Sequence, residues 1–510
     1  MQLRLSYLPP LMVYLAAGVS GLTGIVGTFF VKEYLGLSAE FLAALGFWAG
    51  IPWALKMPVG HLVDLIWRWK ALLVWLGAAL IGASLLIMVG LLQHAEAMRA
   101  TMSVDKWYIL SALLAPVGFM VQDAVADAMT VEAVPRADEQ GEPYDAATLK
   151  SMHTTMQTLG RVAIIGGSVF VALLNVWFFR DAESASGTQK AVLYADVYQF
   201  ALAIPLISVA GVLLHSILKH RHPERVFQQD QKTQPNWPVL IGSLVFVAVT
   251  LAVGLSGLPR GEEAIFAGSF AIVMFLLWRL ARELEPRARE VMVATALIVF
   301  VFRAAPGPGA GSTWWMIDVL YFDQAFLARL SLVGSVLTLA GMFALRRYMA
   351  EKSIAQVIVM LTLAGAALAL PTIGMYFGLH EWTARLTGGI VDARMIALID
   401  TALESPLGQI AMIPMLAWIA NSAPAHLKAT YFAVMASFTN LALSAAQLGT
   451  KYLNEILIVT REVRDRATGA IVTAADYDHL GMLLIVSTAI SFLVPLAAVA
   501  VVRLFKLKTA

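Results

Sequence analysis

Runs of about 20 apolar residues, each long enough to cross a bilayer as a helix, recur along the whole chain between short polar stretches. The first six centre near residues 11–31, 41–66, 71–92, 107–134, 148–179 and 194–218. A polar stretch from Lys219 to Asn236 follows, and then two runs near 238–257 and 264–282. Beyond the charged segment from Arg279 to Glu290, six more lie near 289–305, 325–346, 353–378, 390–420, 427–453 and 478–503. This six, two, six pattern predicts about 14 transmembrane helices. They fall into a six-helix half over residues 1–218, a loop with two inserted helices over 219–288, and a second half over 289–510.

Composition agrees with that reading. The chain is 59% hydrophobic and only 14% charged, whereas soluble domains are nearer one quarter charged. It reads as an all-α polytopic membrane protein. With the N-terminus inside, about 20 of the 36 Lys and Arg residues fall in inner loops and tails and about 11 outside. An even number of helices then puts both termini in the cytoplasm, and the expected home is a bacterial inner (plasma) membrane. Arg4 and the long apolar run after it, with no clear small-residue cleavage site, read as a first membrane helix rather than a removed signal peptide. A net charge of +2 without any basic block argues against nucleic acid as a partner. The absence of cysteine excludes disulfides and thiolate metal sites. No phosphate-binding glycine loop, metal-ligand cluster or nucleophile–base pattern is recognisable. The expectation is no enzyme, no metal and no cofactor, with the lipid bilayer, a small-molecule substrate and protons as partners.

The candidate chemistry lies in charges that the bilayer penalises. Asp123 and Asp127 stand four residues apart in the fourth run, on one helix face. A carboxylate near the bilayer centre costs roughly 2.5–3.5 kcal/mol on insertion scales, so this face must meet protein or water. His153, Gln157 and Arg161 form a similar stripe on the fifth run. Counted from the inner loop at about 1.5 Å per residue, Arg161 and Asp123 reach similar depth. That predicts an Arg161–Asp123 pair, either structural glue or substrate and proton handling. It leaves Asp127, level with His153, as the better titrating acid. Lys56 in the second run either snorkels to the inner surface or serves a pocket or gate. In the second half, Asp400 and Glu404 share a face before Pro406, as a second proton site or an outer vestibule. Arg303 stands beside Pro306 and Pro308, where the helix should break and expose backbone to a ligand. Trp315 is either an interfacial belt residue or a stacking wall for a planar ring. Asn440 is a further pocket candidate at the level of Arg161.

Two segments repeat weakly across the halves: Phe30 to Leu42 aligns with Trp315 to Leu327. Paired six-helix halves of this kind are the architecture of major facilitator transporters, with the site at midplane between the halves. Gly60-His61-Leu62-Val63-Asp64, followed by Arg68 and Lys70, resembles the signature loop of that superfamily. The likeness implies an inner gate at Gly60, Asp64 and Arg68, with Gly60 allowing close helix approach. Several segments taken together resemble a narrower family, the folate-biopterin transporters: Ile51 to Gly60, Gln122 to Glu132, Arg303 to Gly309 followed by Phe326-Leu327 and Leu332 to Ser335, and Met412 to Ala420 with Ala429 to Leu441. That resemblance implies a pterin or folate-like solute; the paired halves imply alternating access, and the buried carboxylates imply proton-coupled symport. Export of another metabolite or drug, and a non-transporting role in assembling a pigment or protein complex, are the competing readings.

Overall fold

The protein is described by a computed structural model over residues 4–509, except 36, 55, 67–68, 135–141, 143, 183–186, 222–236, 257, 283, 346–347, 349–350, 409, 413–414, 416–417, 419–427 and 465–469. It is nearly all helix. In chain order the helices are α1 (Leu8–Val19), α2 (Gly24–Tyr34), α3 (Ala39–Ala54), α4 (Lys56–Leu65), α5 (Lys70–Gln93), α6 (Ala95–Thr101), α7 (Val104–Ala133), α8 (Ala146–Phe178), α9 (Gly187–Ala201) and α10 (Ala203–Arg221). They continue with α11 (Trp237–Ser256), α12 (Gly261–Arg282), α13 (Pro286–Arg303), α14 (Ala310–Asp318), α15 (Gln324–Ala344), α16 (Ile354–Tyr376), α17 (Leu379–Leu386), α18 (Ala393–Glu404), α19 (Lys428–Ile456) and α20 (Leu480–Leu504). Among the described residues, 9 helical stretches are long and apolar enough to cross a membrane. Contacts group the chain into two compact units, Met1–Val26 with Leu55–Ala248, and Gly27–Ala54 with Val249–Ala510.

The first unit is built on close helix crossings through glycine. Where α5 meets α7, a Cβ on Gly77 would lie 2.7 Å from the Gly118 carbonyl oxygen, and a Cβ on Gly118 the same distance from that of Gly77. Where α1 meets α8, a Cβ on Gly18 would lie 2.1 Å from the Ile164 oxygen. Lipid supplies no hydrophobic drive for helix association, so backbones that approach this closely gain the dispersion contacts that do. Buried polar groups fasten the same seams. Gln122 donates to the Val74 carbonyl at 3.1 Å and to Ser208 at 2.9 Å. Ser84 pairs with Ser111 at 2.9 Å.

The second unit packs α3 along α19, with Gly46 facing Gln447 and Gly50 facing Ser444. The inserted helix α12 also lies on α19, where Trp48 of α3 donates to Glu262 at 3.1 Å. The break expected after Arg303 is present between α13 and α14: Pro306 and Pro308 supply no N–H, and Gly309 adopts φ +76°. The freed backbone is satisfied from α19, by Thr450 accepting from Gly307 N at 3.0 Å and Asn454 donating to the Pro308 carbonyl at 3.3 Å. The two segments aligned as a repeat lie together, since Lys32 pairs with Asp318. Tyr477 donates to the same carboxylate at 2.6 Å. Arg461, 2% exposed, donates to the carbonyls of Val31 and Leu35 at the end of α2. A cation there also complements the helix dipole.

Candidate functional site

The site is built around Lys56, the first residue of α4. Its Nζ lies 2.5 Å from Asp123 Oδ2 and 2.6 Å from Asp127 Oδ2, so one ammonium bridges both carboxylates. Tyr14 of α1 donates its hydroxyl to Asp127 Oδ1 at 2.6 Å. Arg161 of α8 adds its positive field at Asp123 and Tyr14.

This differs from the sequence expectation in one respect. The lysine makes the ion pair with Asp123, and among the described residues no ion pair joins Arg161 to either aspartate. Residue counting gave Arg161 the right depth but could not give its rotation about the helix axis. Lys56 is enclosed rather than snorkelled, with a side chain 20% exposed. Two acids and two bases, from α4, α7 and α8, therefore converge in one unit, which is how a membrane interior tolerates such groups. Tyr14 was missed. In sequence it is one aromatic in an apolar run, and only its level with Asp127 could have singled it out.

Five residues further along α7, Glu132 is held by Lys70 of α5 at 2.5 Å, with His215 of α10 at 3.4 Å. This pair fastens the ends of three helices beside a core of Val63, Val74, Val125, Met129 and Val212.

The remaining candidates fall elsewhere. Arg303 donates to the Thr439 carbonyl at 3.1 Å and lies 3.7 Å from Met412 Sδ. It lines a small apolar cavity with Val299, Phe302, Val357 and Ile358. Asn440, the residue after Thr439, donates to the Trp53 carbonyl at 3.3 Å. Trp315 is 4% exposed, packed among Leu320, Phe322, Phe326 and Met375. Asp400 and Glu404 share a face of α18; Asp400 Oδ1 is buried without a hydrogen bond among the described residues, and Glu404 is exposed. Among the described residues, a Cβ on Gly60 would meet nothing within 4 Å. Arg68 and the side chains of Asp64, His153 and Gln157 lie outside the described residues.

Comparison with known proteins agrees with the fold and extends it. The pattern described as the BT1 family matches residues 17–506. A curated "Folate-biopterin transporter" from Synechocystis sp. (strain ATCC 27184 / PCC 6803 / Kazusa) is 22% identical over 498 residues, covering 95% of this chain and 79% of that protein. Among solved structures, a POT family transporter in complex with 5-aminolevulinic acid aligns with TM-score 0.63 and 10% identity, covering 98% of this chain and 95% of the other. A POT family transporter in complex with a thioalcohol-conjugated peptide gives TM-score 0.61 at 10% identity, covering 99% and 96%. At such identity these structures speak for the fold alone.

Proposed function

The chain belongs to the BT1 family, which makes it a multi-pass membrane transporter of a small molecule and not an enzyme, and from that premise we propose that it is a proton symporter for a pterin or folate-like solute. The observation that carries the coupling is Lys56 held between Asp123 and Asp127 inside a membrane helix. A carboxyl in that position takes a proton in one facing state and releases it in the other. Protonation loosens half of the hold on Lys56, and its charge becomes available, with Arg161, to the anionic tail of a substrate. The rest of the proposal follows the sequence pattern. It comprises about 14 helices in a six, two, six order, both termini in the cytoplasm, and an inner gate around Asp64 and Arg68. It also takes the inner (plasma) membrane as the site of action and alternating access as the mechanism.

The cargo rests on the name of the curated relative. Purified protein in liposomes, given tritiated folic acid or tritiated biopterin with acid outside, should accumulate at least one of the two. A pH difference of one unit sustains up to about tenfold accumulation at one proton per solute. Accumulation of a dipeptide or of 5-aminolevulinic acid, with neither folic acid nor biopterin taken up, would sink the cargo assignment.

A further inference from the structure

We propose that Tyr14 is a positioning residue that fixes Asp127 as the permanent anion of the site, so that the coupled proton is carried by Asp123. The inference rests on the proton-coupled reading above and assigns the proton within it.

The two carboxylates differ in what surrounds their oxygens. Asp127 has a donor on each oxygen, Tyr14 Oη on Oδ1 and Lys56 Nζ on Oδ2, both at 2.6 Å. Asp123 has Lys56 on Oδ2 and no hydrogen bond on Oδ1 among the described residues. A proton arriving on Asp127 weakens a charge-assisted hydrogen bond whichever oxygen it takes. An ammonium has no lone pair with which to accept from a protonated acid. A proton arriving on the unbonded oxygen of Asp123 displaces nothing. Among the described residues, the charged and titratable groups facing the pair are Lys56 from α4, Tyr14 from α1 and Arg161 from α8.

Tyr14 cannot readily turn away. It is 6% exposed and packs with Val13, Ala126, Ala163 and Ile164. Its ring fills a notch in α8 where a Cβ on Gly160 would come within 2.9 Å. The ring and the hydroxyl therefore have separable jobs: the ring sets the distance between α1 and α8, and the hydroxyl holds Asp127.

Tyr14→Phe keeps the ring and removes the hydroxyl, and the test is the pH profile of folic acid and biopterin uptake by the full chain in liposomes. With one oxygen of Asp127 released, protons reach both acids. The pH of half-maximal uptake should move toward alkaline by on the order of one unit, the scale of one lost hydrogen bond to a charged group. In an Asp127→Asn background the same change should move it by nothing, because its target is gone. Asp123→Asn should abolish the response to a pH gradient, while Asp127→Asn should retain part of it. If Tyr14→Phe shifts nothing, or shifts equally in the Asp127→Asn background, the role of Tyr14 is overturned while the symport reading stands. If Asp123→Asn and Asp127→Asn both leave the gradient response intact, the assignment of the proton to Asp123 is overturned; if the wild type itself shows no response to a pH gradient, the symport reading is overturned.

Discussion

Lys56→Met should abolish uptake and lower stability by about 3–5 kcal/mol, the usual cost of removing one partner from a buried ion pair. Two carboxylates, with side chains 20% and 43% exposed, would face a methionine, and among the described residues Arg161 makes no ion pair with either. Melting of the purified protein in detergent gives the first quantity, and liposome uptake gives the second. The contrast that isolates the cause is the neutral cluster, Lys56→Met with Asp123→Asn and Asp127→Asn. It should recover most of the lost melting temperature, since no uncompensated charge is left, and recover none of the uptake. Lys56→Arg should fold, but a larger planar guanidinium with fixed donor directions replaces a compact ammonium between the two carboxylates, so uptake should be reduced. Equal melting temperatures for wild type and Lys56→Met would show that the bridge does not form.

Gly118→Leu should prevent the first unit from forming its native packing. Even the Cβ of Gly118→Ala would lie 2.7 Å from the Gly77 carbonyl oxygen, backbone that has no rotamer to change, and 2.8 Å from the Ile81 side chain at Cγ1. Overpacking of this kind costs about 1–3 kcal/mol for small additions and more for large ones. The Leu variant should therefore elute as an aggregate on size-exclusion chromatography, and the Ala variant should melt several degrees early. Gly60→Ala is the control. A Cβ there meets nothing within 4 Å, and that variant should melt with the wild type. Matching losses at positions 60 and 118 would mean that the effect is a general one of glycine in membrane helices, not of the α5–α7 crossing.

Hydrophobic run length made the helical membrane architecture legible, because bilayer thickness sets the period of the pattern. The same economy marked Asp123 and Asp127, since acids inside an apolar helix persist only with partners. The identity of the partner was not legible. Spacing along α8 fixed how deep Arg161 lies, but which of Lys56 and Arg161 reaches Asp123 depends on how each helix is rotated about its axis. Tyr14 carried no mark of its own, because a buried tyrosine and a site tyrosine look alike until the acceptor of the hydroxyl is known. Arg461 was hidden for another reason. Its acceptors are backbone carbonyls of Val31 and Leu35, 430 and 426 residues away, and carbonyls leave no trace in sequence. Trp315 follows the same logic, since packing among Leu320, Phe322 and Phe326 depends on tertiary neighbours that a local aromatic pair does not announce.

The most direct test of the central claim reads protons and solute together. Wild-type protein is placed in liposomes loaded with a pH-sensitive dye and clamped at zero membrane potential. Folic acid or biopterin is then added outside with no pH gradient imposed. Solute entry should be accompanied by acidification of the lumen, and the double variant Asp123→Asn, Asp127→Asn should show no acidification. Solute entry into wild-type liposomes with no change in lumenal pH, or acidification that persists in the double variant, would contradict the assignment of proton coupling to the Lys56–Asp123–Asp127 cluster.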